Sequence, residues 1–437
     1  YVISMTDPNR NGGILNVNPP ASDVVPFHIQ TTYTFLNSQF QGCNSTPVLL
    51  KAPIDFACVG QPFKHNPSAF DIDKDSLSYH LIVPLQGVGS PVPNYFFPHQ
   101  IKPGVNNNIT LNPKTGDLIW NSPQLEGEYN IAMIIVEYRQ GVAIDTMVRD
   151  MQIFVQTCDN KPPDIMAPSE LCVLAGEKIA FDVTATDPDV PFIQKVKLSA
   201  VGGPFVVSKS PATFTVAAGH VDQPNIGKFE WQTACEHISE QVYSLIFTAE
   251  DNYLSPTSGF TNLKTVLIKV VGPPPLNLNA DSQNDVVKLT WDDPYACDEI
   301  DDNYFFGFSV WRREGSNPFV PDSCETGLAG KGYTRIAFKQ KAADAGKYLY
   351  DDKNVEPGRN YCYRIVAEFA KLSAGGNPYN IVESIPSKEA CIQVNCDVPL
   401  MTNVSISTTS NTAGVIEVRW SKPSATDLDT LKYPGPY

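Results

Sequence analysis

Short apolar runs that stop at Gly, Pro, Asn or Asp recur along the whole chain, and helical periodicity is almost absent. YNIAMIIVEY (129–138), MQIFVQT (151–157), KIAFDVTATD (178–187), VYSLIFTAED (242–251), VVKLTW (286–291), NYCYRIVAEF (360–369) and GVIEVRW (414–420) are examples. Side chains of a strand alternate between its two faces, so runs of this length and punctuation predict sandwich strands rather than helices. Helix-permissive stretches such as RIAFKQKAADAGKY (335–348) are few and short. Prolines mark joints at CDNKPPDIMAP (158–168), VGPPPLNLN (271–279) and VNCDVPL (394–400). The segments between them are about 110–125 residues long, the size of an immunoglobulin-like sandwich.

Composition narrows the function classes. The 437 residues carry a net charge of −15. That argues against phosphate-mediated nucleic-acid binding, which needs an excess of Lys and Arg, and suits cations or basic partners. Hydrophobic residues make up 42%, enough for packed cores, yet no run is long enough to span a bilayer. The chain begins at Tyr1 and stops at Tyr437, and reads as an internal piece of a larger processed protein.

Ten cysteines occur without CxxC pairs or zinc spacing, which favours disulfides in an oxidising, extracellular setting. Cys172 with Cys235 is a reasonable pair within one segment. Cys43 with Cys58, Cys297 with Cys324 and Cys362 with Cys391 are weaker local pairings. Cys158 and Cys396 sit alike at joints, where pairing across joints or with other parts of the protein stays open.

Catalytic signals are missing. The six histidines (His28, His65, His80, His99, His220, His237) are scattered, and there is no G-x-S-x-G, H-E-x-x-H or phosphate loop. A non-enzyme is expected. The chemistry-bearing motif is instead DIDKD, Asp71, Asp73 and Asp75, whose carboxylates suit a hard cation. An EF-hand is ruled out because its sixth and twelfth positions would be Ser76 and Ile82 rather than Gly and Glu.

The motif has a counterpart. Two segments share one order: Cys, Gly, strand, acidic loop, strand, Gly-x-apolar-x-Trp, long apolar strand. Trp120 matches Trp231, and Asp71/Asp73 match Asp187/Asp189. This order resembles the cadherin-like, dystroglycan-type Ig modules of bacterial surface proteins. The resemblance implies Ca²⁺ at the joints, held by Asp71, Asp73, Asp75 and Glu137 in the first module and by Asp187, Asp189, Glu250 and Asp251 in the second. The alternative is a solvated, metal-free Asx-rich turn. The second loop lacks a third Asp, and Arg139 lies where it would partly neutralise the first site.

From 272, VVKLTWDDP, FGFSVWRRE and VEPGRNYCYRIVAEF resemble a fibronectin type III domain, with Trp291 in its core and Tyr361 as its tyrosine corner. At 397 the pattern restarts, with Trp420 in the place of Trp291. The expected architecture is all-β, tandem Ig-like sandwiches forming an elongated rod. It comprises the end of a preceding module (1–43), cadherin-like modules (44–160 and 161–271), a fibronectin type III module (272–396) and a truncated second one (397–437).

Taken with ISMTDPNRNGGILNV, TGDLIW and RWSKP…YPGPY, these motifs resemble large modular proteins of gliding Bacteroidetes exported by the type IX secretion system. The resemblance implies a surface-exposed or secreted adhesin-like stalk on the outside of the outer membrane. Its partners would be the secretion and motility machinery, other cell-surface proteins or a polysaccharide. An accessory region of a secreted polysaccharide-degrading enzyme and a subunit docked on the export apparatus are the alternatives. DSL, DTM and DTL resemble the O-glycosylation sequon of that phylum, at Ser76, Thr146 and Thr430. Asn44, Asn108 and Asn403 match the N-glycosylation sequon, and PVPNYFFPHQ (91–100) reads as a binding loop or a packed sandwich edge.

Overall fold

A computed structural model describes residues 1–189, 194–253, 259–283, 286–298, 304–340, 343–344, 346–394 and 400–421. Strand is their main regular structure, with very little helix, and they form two compact units, Tyr1–Val270 with Lys371–Asn380, and Val271–Ala370 with Ile381–Tyr437.

In the first unit, the long strands Gly127–Arg139 and Val142–Gln156 pair antiparallel at the centre of an eight-stranded sheet. Ser76–Ile82 flanks them on one side and Phe27–Thr32 on the other. A three-stranded sheet of Pro62–His65, Asn108–Leu111 and Leu118–Asn121 supplies further strands. Trp120, Tyr129, Ile131, Met133, Ile135 and Ile153 form the core, each no more than 1% exposed. Burying a tryptophan removes about 200 Å² from water, worth about 5 kcal/mol before entropy is counted. The Trp120 ring meets Tyr129 edge-on at 4.9 Å, and its indole N–H donates to Asn107.

Strands from residues 2–7 and 27–32, on the far side of the sequence boundary drawn at 43, are built into this same sheet. Val2–Asp7 pairs with Phe27–Thr32, which meets the Val142–Gln156 strand at Thr32–Thr146 and Thr31–Met147. Between these strands the buried Arg10 guanidinium donates to Asp150 at 2.7 Å, to Asn130 at 3.1 Å and to Leu85 O at 2.9 Å.

The second sandwich of this unit is two four-stranded sheets. One has the order Asp164–Met166, Lys178–Thr186, Asn225–Gln232, Thr213–Thr215. The other runs Glu170–Leu174, Thr261–Val271, Tyr243–Asp251, Val196–Gly202. Trp231 repeats the first sandwich's arrangement, 1% exposed and edge-on to Tyr243 at 5.0 Å. The two sandwiches touch through Phe70, stacked on Tyr243, and through Lys74, whose ammonium donates to Glu236 O and Ile238 O.

In the second unit, Asn279–Gln283, Val286–Asp292 and Lys347–Asp352 form one sheet, and Phe305–Glu314 pairs with Asn360–Leu372 in another. Trp291 is fully buried against Phe308 and Tyr348. Tyr361 makes the expected corner, its hydroxyl accepting from Glu356 N at 3.2 Å. Thr334–Gln340, overlapping the start of the helix-permissive stretch, is a strand paired with Phe305–Glu314. A neighbouring strand overrides weak local helix propensity there. The hairpin of Leu400–Thr408 and Val415–Ser421 follows, with Trp420 62% exposed where Trp291 is buried.

Disulfides correct one sequence pairing. Cys58 bonds Cys158, not Cys43, and Cys43 is an exposed free thiol. The reason is topological: Ile54–Cys58 runs parallel to Val142–Gln156, so their ends bring Cys58 beside Cys158 within a single module. Cys362 bonds Cys391 across neighbouring strands. Cys172, Cys235, Cys297 and Cys324 are also disulfide-bonded. Cys396 and Thr430 lie outside the described residues.

Candidate functional site

The DIDKD loop connects Ala69–Phe70 to Ser76–Ile82. Asp71 closes it, its Oδ1 accepting from Asp75 N four residues on at 3.0 Å, while Lys74 takes a positive φ of 67°. One carboxylate oxygen from each of Asp71, Asp73 and Asp75 lies within 4.8 Å of the others. Glu137, near the end of the central strand, adds a fourth carboxylate and is 1% exposed.

Asp71 Oδ2 and both Glu137 carboxylate oxygens are buried and, among the described residues, accept no hydrogen bond of good geometry. Burial pushes the Asp71 carboxyl up to about 7, with Asp75 and Asp73 adding to the effect. Burial, followed by the charge of Asp71, pushes Glu137 up to about 9. Carboxylate oxygens taken from water without donors are costly unless a proton or a cation reaches them. Either a proton or a hard oxygen-seeking cation at Asp71 and Glu137 would meet that cost.

Asp73 and Asp75 have other partners. Ser45 N donates to Asp73 Oδ2 at 2.7 Å. Arg139 grips Asp75 with both edges of its fork, Nε to Oδ1 at 2.9 Å and an Nη to Oδ2 at 2.5 Å. Within the same unit, Lys371 reaches Asp73 at 3.1 Å and Asn380 reaches Asp75 at 2.8 Å.

The second module repeats the arrangement around its own incoming chain. Lys161 N donates to Asp189 Oδ2 at 2.9 Å, as Ser45 N does to Asp73. Asn160 Nδ2 donates to Asp251 Oδ2 at 2.7 Å, as Asn44 Nδ2 does to Asp145 Oδ2 at 2.8 Å. The carbonyl of each asparagine accepts from a long side chain, Arg139 onto Asn44 at 2.6 Å and Gln194 onto Asn160. Asp187 Oδ2 and Gln194 Oε1 are buried without a hydrogen-bond partner among the described residues. Burial raises the carboxyls of Asp187 and Asp251 above the usual range.

Each D-x-D loop is therefore a clasp on the segment entering its module. The fold gathers Asp71, Asp73 and Asp75 with one oxygen of each within 4.8 Å of the others and places Glu137 near enough to feel Asp71 and Asp75. Asp187 feels the charges of Asp189 and Asp251, but these three do not close into a cluster that tight. Glu250 stands apart from its neighbour: it lies across from Lys197, which it meets at 3.2 Å, because consecutive strand residues face opposite sides. Sequence reasoning missed Asp145, Asn160 and Gln194, and read Asn44 only as a glycosylation sequon. The available signal was an Asn just after the joint cysteine in both CN (43–44) and CDN (158–160).

The modification candidates differ in access. Ser76 is exposed, whereas the Thr146 hydroxyl is held by Thr32 at 2.8 Å within the sheet. Asn44 is buried in its clasp, and Asn108 and Asn403 are exposed. In the 91–100 stretch Val92 packs into a core cluster and Tyr95 bonds Asn130 O, while Phe96 is 48% exposed.

No protein-family model and no curated protein matches the chain. Solved structures with some likeness include an Fn3-like protein from Clostridium thermocellum, 25% identical over 28% of this chain and 92% of that one, with a TM-score of 0.17. The human desmocollin-1 ectodomain is 13% identical over 90% of this chain and 72% of its own, with a TM-score of 0.20. Tandem Ig repeats of Dlar are 14% identical over 51% and 97% respectively, with a TM-score of 0.21. Likeness at this level says nothing of function, and the sandwich architecture rests on the sheets described above.

Proposed function

We propose that this chain is a non-catalytic stalk region of a surface-exposed or secreted adhesin-type protein, exported by the type IX secretion system and serving gliding motility or surface attachment. The observation that carries the reading is the repeated clasp: two successive sandwiches each bind the segment entering them through a buried D-x-D loop and an asparagine. A clasp of this kind limits bending at a joint, which suits modules that space and present a binding surface. Disulfides at Cys58–Cys158 and Cys362–Cys391 suit an extracellular setting. No helix among the described residues is long and apolar enough to cross a membrane.

Ca²⁺ belongs to this reading. Asp71 with Glu137 would hold one ion, and Asp187 with Asp189 and Asp251 another, supplying positive charge to carboxylates that lack it. The partners would be other cell-surface proteins, the motility machinery or a polysaccharide.

Two experiments test the reading. Protease shaving of intact cells should release the protein, and blocking type IX export should trap it inside. Surface display that survives the block would refute the route. Calorimetric titration of the chain with Ca²⁺ should give heat, and chelator should lower the melting temperature. An unchanged melting temperature would remove the ion.

A further inference from the structure

The two clasps match in backbone and asparagine contacts but differ in one component. In the first, Arg139 is buried, its side chain 4% exposed. Its guanidinium makes five contacts to oxygen: Asp75 Oδ1, Asp75 Oδ2, Gln41 O at 2.9 Å, Cys43 O at 3.0 Å and Asn44 Oδ1. A guanidinium has five N–H donors in a fixed fork, so the group is saturated. Those partners are two carboxylate oxygens, two backbone carbonyls and one side-chain amide, the oxygen types that a bound Ca²⁺ collects. Three of the five lie on the incoming segment at residues 41–44, and two on the D-x-D loop.

Among the described residues the second clasp has no such group. Gln194 stands on Asn160 where Arg139 stands on Asn44. Among the described residues, no Lys or Arg side chain makes a hydrogen bond or ion pair with Asp187, Asp189 or Asp251. Gln194 is neutral, so among the described residues that loop has no counter-ion of its own: Asp251 is met only by neutral N–H donors, Tyr253 N and Phe260 N on Oδ1 and Asn160 on Oδ2.

The geometry points to Arg139 as an internal cation that ties the incoming segment to the first D-x-D loop whether or not Asp71 and Glu137 hold an ion, whereas the second joint depends on an added divalent ion. This rests on the cation reading of the clasps, and it makes one joint permanently closed and the other responsive to external Ca²⁺. A residue that joins two segments through a full set of charge-assisted bonds holds them at any metal concentration. A clasp of carboxylates with no counter-ion holds only when one is supplied.

Hydrogen exchange of the full chain, followed by mass spectrometry in Ca²⁺ and in EGTA, separates the two joints. Peptides covering 41–47 report the Ser45 amide and peptides covering 158–164 report the Lys161 amide. In the wild type the first should exchange at the same rate in both buffers, and the second on the order of tenfold faster in EGTA. Arg139→Gln should speed the first by a similar factor in EGTA. Peptides from 178–186 should stay protected, confirming that the chain is folded. If Arg139→Gln does not fold, Arg139→Lys, which keeps the charge but loses the fork, should show the same local loss. EGTA sensitivity of the 41–47 peptides in the wild type, or full protection in both variants, would overturn the role of Arg139. Indifference of the 158–164 peptides to EGTA would sink the ion at the second joint and leave the Arg139 result standing.

Discussion

Replacing Arg10 by Ala tests whether the leading segment is held in the first sandwich by charge. Arg10 and Asp150 have side chains only 2% and 0% exposed and meet at 2.7 Å. The substitution strips Asp150 Oδ2 of this partner and leaves Asn130 Nδ2 on Oδ1. It also removes the donors to Leu85 O and Asn130 Oδ1. Removing one member of a buried pair typically costs about 3–5 kcal/mol, mainly through the uncompensated charge left behind. Exchange in peptides from Gly127–Gln156 should therefore accelerate by about two to four orders of magnitude, at about 1.4 kcal/mol per factor of ten. The double substitution Arg10→Met with Asp150→Leu should recover most of the loss, because apolar residues of similar volume remove the charge burden altogether. A cost for Arg10→Ala below about 1 kcal/mol, the value of an exposed pair, would refute the reasoning.

Three further outcomes follow from particular contacts. Tyr361→Phe removes the acceptor of Glu356 N and should destabilise the second unit by about 1 kcal/mol in urea unfolding. Cys58→Ser opens a bridge spanning 100 residues and should cost about 4–5 kcal/mol on chain-entropy grounds, whereas Cys43→Ser should leave the melting temperature unchanged. Burial pushes the Glu368 carboxyl above its ordinary range, with Arg335 at 3.5 Å opposing. A raised folded value means that the folded state holds the proton more tightly. That contribution is complete below the ordinary glutamate range and is lost as pH rises through the raised value. Glu368→Gln should flatten this decline in a pH series of melting curves, and a parallel curve would refute it.

Much of the architecture was legible because strand alternation, turn residues and aromatic anchors are local. The Gly-x-apolar-x-Trp stretches placed Trp120 and Trp231 in equivalent cores, and the PG-x-x-Y stretch placed Tyr361 at its corner. The paired D-x-D loops were visible as a repeat for the same reason. Pairings between segments were not: Cys58 looked closest to Cys43 along the chain, yet a parallel strand delivers it to Cys158.

The sequence alone determined an all-β chain with strand-rich modules, an acidic balance and two related aspartate loops, since each follows from residue type and short-range spacing. Tertiary structure decided what those aspartates do. Arg139 and Asn44 lie 95 positions apart, and Arg139 and Asp75 lie 64 apart, yet they meet in one buried clasp. Burial makes the charge of Asp71 and Glu137 costly, and chain topology puts a guanidinium in one joint and a neutral glutamine in the other. Desolvation and partner geometry arise only when distant segments come together, so no local pattern encodes them.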